Sequence, residues 1–436
     1  MTICIGNEPV VTLHDSSTIY ETFLKDGDAY TDRAQSEVQN ILRKGNNGIA
    51  FIDGSKWREQ RRFSLQVLRN FGLGKNLMQE RILVEVTGLI SDIKQDLKNN
   101  IKEIALPTEI DRAVGSIINM LTFGYRYGKE NMAEFLKVKE YATTTVGYHG
   151  DLYYKILEMN FDMMKHFPIF NRKCQELYEK TKEISNFFEE KIEEHRRKMD
   201  FESNEDPVDY TEAYLRHQYK LKKEGNEGSF TDNQLYGMVL DLWVAGQETT
   251  SNTLAWLCLY LLNRPDIQQK VHEELDKFVG SDRIVTLDDK INLNYVNAIV
   301  AETQRFCNLG PFNIIHKTTK EVNIHGYRFP KGTLITHQIG TVLNDDRYFK
   351  NPDEFIPERF LDKNGRFFSP PELMPFGIGK RACLGEGLAK MELYLFAANI
   401  FNQFKLTSKF GKFSEERINK GSICCKPYKC EIQSRF

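Results

Sequence analysis

The sequence carries almost no net charge: 59 Lys and Arg against 61 Asp and Glu leave −2 over 436 residues. That balance offers no basic face of the kind nucleic acid requires. The N-terminus, Met1-Thr2-Ile3-Cys4-Ile5-Gly6, shows no basic segment followed by an apolar one, so no secretory leader is expected in it. A bilayer-spanning run is missing too. The most apolar stretch, 235–262, is interrupted by Asp241, Gln247, Glu248 and Asn252, whereas a span needs about 20 mostly apolar residues in succession. The eight cysteines follow no disulfide framework and read as reduced thiols on the cytosolic side of a membrane. Cys424, Cys425 and Cys430 lie close together but lack the spacing and fourth ligand of a zinc site, so they read as strand residues. No Gly-rich flavin or dinucleotide fingerprint follows a strand pattern. Any electrons must therefore come from another protein.

What is present is organised around PFGIGKRACLGEGLA, residues 375–389. Gly377, Gly379 and Gly385 surround Cys383, so the backbone can pass close to something large and flat. Beyond it, Leu384, Leu388, Met391, Leu395 and Phe396 fall near a 3.6-residue period. Cys383 is thus expected at or just before a helix N-terminus, where backbone N–H groups favour the thiolate. Such a thiolate suits a metal ligand or a nucleophile; a buried, inert Cys on a turn is the plainer alternative. Phe376, Gly379, Arg381, Cys383 and Gly385 fit Phe-x-x-Gly-x-Arg-x-Cys-x-Gly. This resembles the haem-binding loop of the cytochrome P450 family. The resemblance implies that Cys383 is the axial ligand of haem iron and that Arg381 reaches a haem propionate.

The rest of the chain follows the same family order. Residues 3–13 read as a hairpin around Gly6-Asn7-Glu8-Pro9, and 15–26 as a helix capped by Asp15 or Ser16. Trp57 and Arg61 share a helix face. They resemble the Trp-x-x-x-Arg of the P450 C helix, which implies propionate contacts; a basic surface helix is the plainer reading. Residues 76–200 read as mostly helical, broken at Phe167-Pro168 near the family's F–G link, and 200–230 as a loop holding a short helix. Thr231 and Gln234 have capping-box spacing and open a long helix to about Asn263, stopped by Pro265. Inside it, Gly246 and the run Thr249-Thr250-Ser251 weaken the hydrogen-bond ladder and suggest a local bulge. Ala245-Gly246-Gln247-Glu248-Thr249 resembles the P450 I helix. There Thr249 would hydrogen-bond dioxygen and Glu248 would relay protons.

Glu302 and Arg305 lie on one helix face at i and i+3, a weak signal alone. Followed by Pro357-Glu358-Arg359-Phe360, they resemble the family's Glu-x-x-Arg and meander. Glu302, Arg305 and Arg359 would then form a charge network holding the Cys loop. Residues 322–341 read as strands with turns, and 421–433 as a final hairpin. His316 corresponds to a propionate contact, with Ile315 where the family often has Pro.

The resemblance runs from residue 1 to the C-terminus and is to the animal microsomal class, family 2-like. It implies a mainly α fold with small β-sheets (α+β), with haem between the I helix and the Cys loop. It also implies one catalytic domain over 1–436, beginning without the family's membrane anchor and Pro-rich hinge. The implied activity is haem b monooxygenation of a lipophilic substrate such as a xenobiotic, fatty acid or steroid. O2 is co-substrate, and electrons come from NADPH through NADPH–cytochrome P450 reductase, sometimes with cytochrome b5. The implied place is the cytosolic face of the endoplasmic reticulum membrane. Asp241, Ala245, Thr249, Thr250, Asn313 and Ile314 are the pocket candidates, a mixed set that suits a lipophilic molecule with one polar anchor. The rival readings are a haem-thiolate isomerase or dehydratase of peroxides, which needs no proton relay, and a non-catalytic haem protein.

Overall fold

A computed structural model describes every residue except 6–7, 73–75, 204, 227 and 410; the Gly6-Asn7 turn lies outside the described residues. The fold is built around one long helix. Thr231 caps it by accepting the Gln234 amide at 3.2 Å, and the helix runs unbroken over Asp232–Asn263 before Pro265 opens the next. The capping box is only half formed, because the Gln234 side chain donates to the Gly48 carbonyl at 2.7 Å instead. We label the helices that position the site α1 (Gly54–Asn70), α2 (Leu106–Phe123), α3 (Met132–Gly150), α4 (Asp232–Asn263), α5 (Asn294–Cys307) and α6 (Glu386–Gln403). Helix α4 packs against the other four of α2–α6. The expected bulge is absent. Gly246 serves packing: a Cβ there would meet Ile118 of α2 at 2.8 Å, so the glycine lets the two helices close up.

The small sheet matters for the site. Its strands lie in the order Thr2–Ile5, Glu8–Leu13, Leu334–His337, His316–Lys317, Asp32–Arg33. Arg33 pairs with His316, and His316 with Ile335. Residues two apart on a strand share a face, so this register collects Arg33, His316 and His337 on one side. The expected C-terminal hairpin is not formed. Ile423–Cys424 pairs with Ile418–Asn419, whereas Cys430–Ser434 joins Glu103–Ile104 and Phe404–Thr407. Residues 200–230 hold a longer helix than expected, Tyr210–Lys223, capped by Asp209.

A buried charge network ties α5 to the 343–359 segment. Arg305 clasps Glu302 with two bonds of 2.7 and 2.9 Å, and both side chains are 0% exposed. The remaining guanidinium donors reach the carbonyls of Leu343, Pro352 and Glu354. Glu302 also accepts from the Ile356 amide at 2.7 Å and from Arg359 at 3.2 Å. Every strong group has a partner, the condition under which a buried ion pair is tolerated.

Glu392 on α6 is another buried acid, and among the described residues no cation pairs with it. Burial pushes its carboxyl up to about 8, although a hydrogen bond with Thr250 opposes the shift. The acid is therefore neutral in the folded chain while its unfolded counterpart ionises near 4.5. The unfolded state then binds fewer protons across that window, so stability falls as pH rises from 4.5 to 8. Each pKa unit is worth about 1.36 kcal/mol, giving roughly 5 kcal/mol over the whole window. Glu392→Gln is expected to flatten that part of the stability-against-pH curve in urea melts; an unchanged slope would place the titration elsewhere.

Candidate active site

Helix α1 presents Trp57, buried, with Arg61 one turn later. The Arg381 guanidinium lies 3.9 Å from the Trp57 ring centroid and that of Arg61 lies 5.9 Å away, so the indole is shared between two cations. Arg61 donates to the Ala382 carbonyl at 2.7 Å, tying α1 to the Cys loop. Arg381 donates to the carbonyls of Thr31, Ile49 and Ile52. A third guanidinium, Arg33, joins them, bonded to Ala50 O at 3.2 Å and Ile314 O at 2.7 Å. Among the described residues no carboxylate forms an ion pair with any of the three. Burial first, and then mutual repulsion, pushes Arg33 and Arg381 down. A cluster of this kind calls for anions.

The Cys loop sits across this cluster. The Cys383 amide donates to the Phe376 carbonyl at 2.9 Å, closing the loop. Gly379 has φ +79°, and a Cβ there would lie 1.9 Å from the Phe23 carbonyl, so no other residue fits. Gly385 is the residue immediately before α6, which begins at Glu386. Cys383 therefore lies three residues ahead of the helix, and its thiol is accessible. The expectation that the helix end alone favours the thiolate does not hold. Although Cys383 keeps accessible surface, the protein atoms packed around it desolvate the thiolate and push its pKa up, opposed by the Gly385 backbone and Arg61. A metal would supply the missing driving force, since a coordinating thiol is deprotonated outright.

On α4, Ala245 and Thr249 are exposed, although Val244, Gln247, Glu248 and Thr250 around them are buried. An i, i+4 pair shares a face, so a small-residue strip opens in the middle of an otherwise enclosed helix. The Thr249 hydroxyl donates to the Ala245 carbonyl at 2.7 Å. Glu248 points elsewhere, toward α3, where Lys139 lies at 3.0 Å and Thr143 at 2.8 Å; Lys139 also meets Asp111 at 2.9 Å. The acid and the alcohol are adjacent in sequence and do not touch.

Several pocket candidates have other partners. Asp241 is buried against Arg43 at 2.6 Å, and its second oxygen accepts the Ile49 and Ala50 amides at 2.7 and 3.0 Å. No oxygen is left to anchor a substrate, so Asp241 clamps the 43–50 segment onto α4. Thr250 is buried and faces Glu392 rather than an open space. The Asn313 amide lies between two imidazoles, 3.4 Å from His316 Nε2 and 2.9 Å from His337 Nε2. Ile314 is 39% exposed and, like Ala245 and Thr249, remains available. His316 is buried and donates through Nδ1 to the Tyr30 carbonyl at 2.7 Å. Sequence reasoning missed Arg33 and His337. Neither sits in a motif, and only the strand register brings them to the cluster.

The structure thus shows an exposed Cys383, an open small-residue strip on α4 and, among the described residues, three guanidiniums without a carboxylate partner. The chain belongs to the cytochrome P450 family, whose family model matches residues 1–433. It is similar to cytochrome P450 2B15 of Rattus norvegicus, 34% identical over 438 residues covering 100% of this chain and 86% of that protein. It is likewise similar to cytochrome P450 2U1 of Homo sapiens, 34% identical over 92% of this chain and 72% of that one. With cytochrome P450 2A4 of Mus musculus the identity is 34%, over 93% and 80%. The protein is thus an oxidoreductase of the monooxygenase class, with haem b as cofactor and O2 as co-substrate, on the mainly α fold with small sheets expected from its motifs.

Proposed function

We propose that this chain hydroxylates a lipophilic small molecule, RH + O2 + 2 e− + 2 H+ → ROH + H2O, using NADPH electrons delivered by NADPH–cytochrome P450 reductase. The observation that carries the reading is the accessible Ala245–Thr249 strip on α4 together with the accessible Cys383. Haem, when bound, supplies the oxygen chemistry, and the protein supplies ligand, orientation and protons. In this reading Cys383 ligates the iron. Arg381, Arg61, Trp57 and His316 hold the acid groups, while Phe376, Gly377, Gly379 and Gly385 shape the loop. Protons are handed on at the Thr249 hydroxyl, a donor and an acceptor on one rotor, whereas Glu248, held by Lys139 and Thr143, ties α4 to α3 and is not assigned to the relay. Ala245 and Ile314 line the pocket, which favours apolar substrates. We assign residues 1–436 to one catalytic domain.

Among the described residues no helix is long and apolar enough to cross a membrane. Leu152, Tyr153, Met159, Met163, Phe167 and Ile169 are nevertheless exposed within one short stretch, which supports a peripheral position on the cytosolic face of the endoplasmic reticulum. Cytochrome b5 is a second candidate electron donor.

NADPH-dependent turnover with the reductase tests the monooxygenase reading against a peroxide isomerase, which would need no NADPH. Thr249→Ala refines it. The substitution removes a hydroxyl and little volume, so substrate affinity should stay close to parental. Product per NADPH is expected to fall severalfold, with more hydrogen peroxide released. An unchanged ratio would take Thr249 out of the proton path.

A further inference from the structure

We infer that His337 is a further cofactor-positioning residue, which holds Asn313, and through it His316, in the seat for the haem acid groups. The argument begins with a donor count. The Ile314 amide donates to Asn313 Oδ1 at 2.8 Å, so the oxygen end of the Asn313 side chain is fixed and its NH2 end faces the two imidazoles. His316 uses Nδ1–H on the Tyr30 carbonyl, which leaves its Nε2 bare to accept. That Nε2 lies 3.4 Å from Asn313 Nδ2. The other N–H of the same amide needs an acceptor, and His337 Nε2 at 2.9 Å is the near one. One NH2 group thus serves two neutral rings. Burial keeps both rings uncharged, with Arg33 reinforcing it: His316 lies well below its ordinary value and His337 is pushed down to about 3.

Packing makes the same connection. The Phe23 ring meets His316 edgewise at 4.7 Å and His337 at 4.5 Å between centroids. The Phe23 carbonyl is what holds residue 379 to glycine, and a Cβ at Gly377 would lie 3.6 Å from His337 Nε2. His337 therefore joins the propionate side, through Asn313 and His316, to the turn that leads into Cys383. The assignment rests on haem occupying this seat.

The test uses purified holoprotein and two readouts other than turnover: the rate of haem transfer to apomyoglobin and the midpoint reduction potential. His337→Phe keeps a buried ring and removes the acceptor; Asn313→Ala removes the bridge. Both are expected to release haem severalfold faster and to shift the potential. His337→Gln restores an acceptor oxygen and should return both readouts toward parental. If His337→Phe and Asn313→Ala both match the parent, the inference is overturned. If His337→Gln is as impaired as His337→Phe, the role is packing alone and the inference is again overturned. A parent that binds no haem would instead sink the seat and the proposed function with it.

Discussion

Glu302→Ala is expected to abolish haem-loaded, folded protein. Arg305 would keep its carbonyl partners but lose both carboxylate bonds while 0% exposed, and Arg359 would lose one of its contacts as well. Stranding a buried charge costs about 3–5 kcal/mol, a large share of the roughly 5–15 kcal/mol by which folded chains are stable. The Ile356 amide would also lose its acceptor, freeing the segment that carries Arg359. Soluble yield, haem-to-protein ratio and melting temperature report the loss. Glu302→Gln should be milder, because one carbonyl oxygen can still accept from Arg305. If Glu302→Ala gave full haem content and a near-parental melting temperature, the network would not be what holds the Cys loop.

Cys383→Ser is expected to erase the thiolate signature and the monooxygenase activity together. Cys383 lies beside the glycines at 377, 379 and 385 with an accessible sulfur, and no other cysteine lies in this loop. The seven others lie elsewhere in the chain. Replacing sulfur with oxygen keeps the size and removes the soft, electron-rich ligand. The measurement is the Soret band of the reduced protein under carbon monoxide. The parent should show the red-shifted band of a thiolate ligand, and Cys383→Ser and Cys383→Ala should not. A histidine-type band in fresh, folded parent protein would overturn ligation by Cys383.

Much of the fold was legible because its signals are local. The Thr231 cap and Pro265 bound α4 by backbone chemistry that needs no tertiary partner. The i, i+3 spacing of Glu302 and Arg305 places them on one face wherever the helix goes. The glycines around Cys383 announce a close approach by themselves. The tail misled because Cys430–Ser434 is a strand but pairs with Phe404–Thr407 rather than its sequence neighbour, and strand partners are set by the whole sheet.

The sequence by itself determined the cofactor loop, the order of the motifs and the ends of the central helix, all of which depend on spacing along the chain. Tertiary structure decided which way the polar residues of α4 point. That helix is buried nearly all round, so no polar stripe distinguishes the face that meets Arg43 at Asp241, Lys139 at Glu248, Glu392 at Thr250 or the open strip at Thr249. Only the packed neighbours make those choices. The same holds for Arg33 and His337. They lie on strands of two and four residues, too short to carry a pattern, and a one-residue slip in register would turn each to the opposite face.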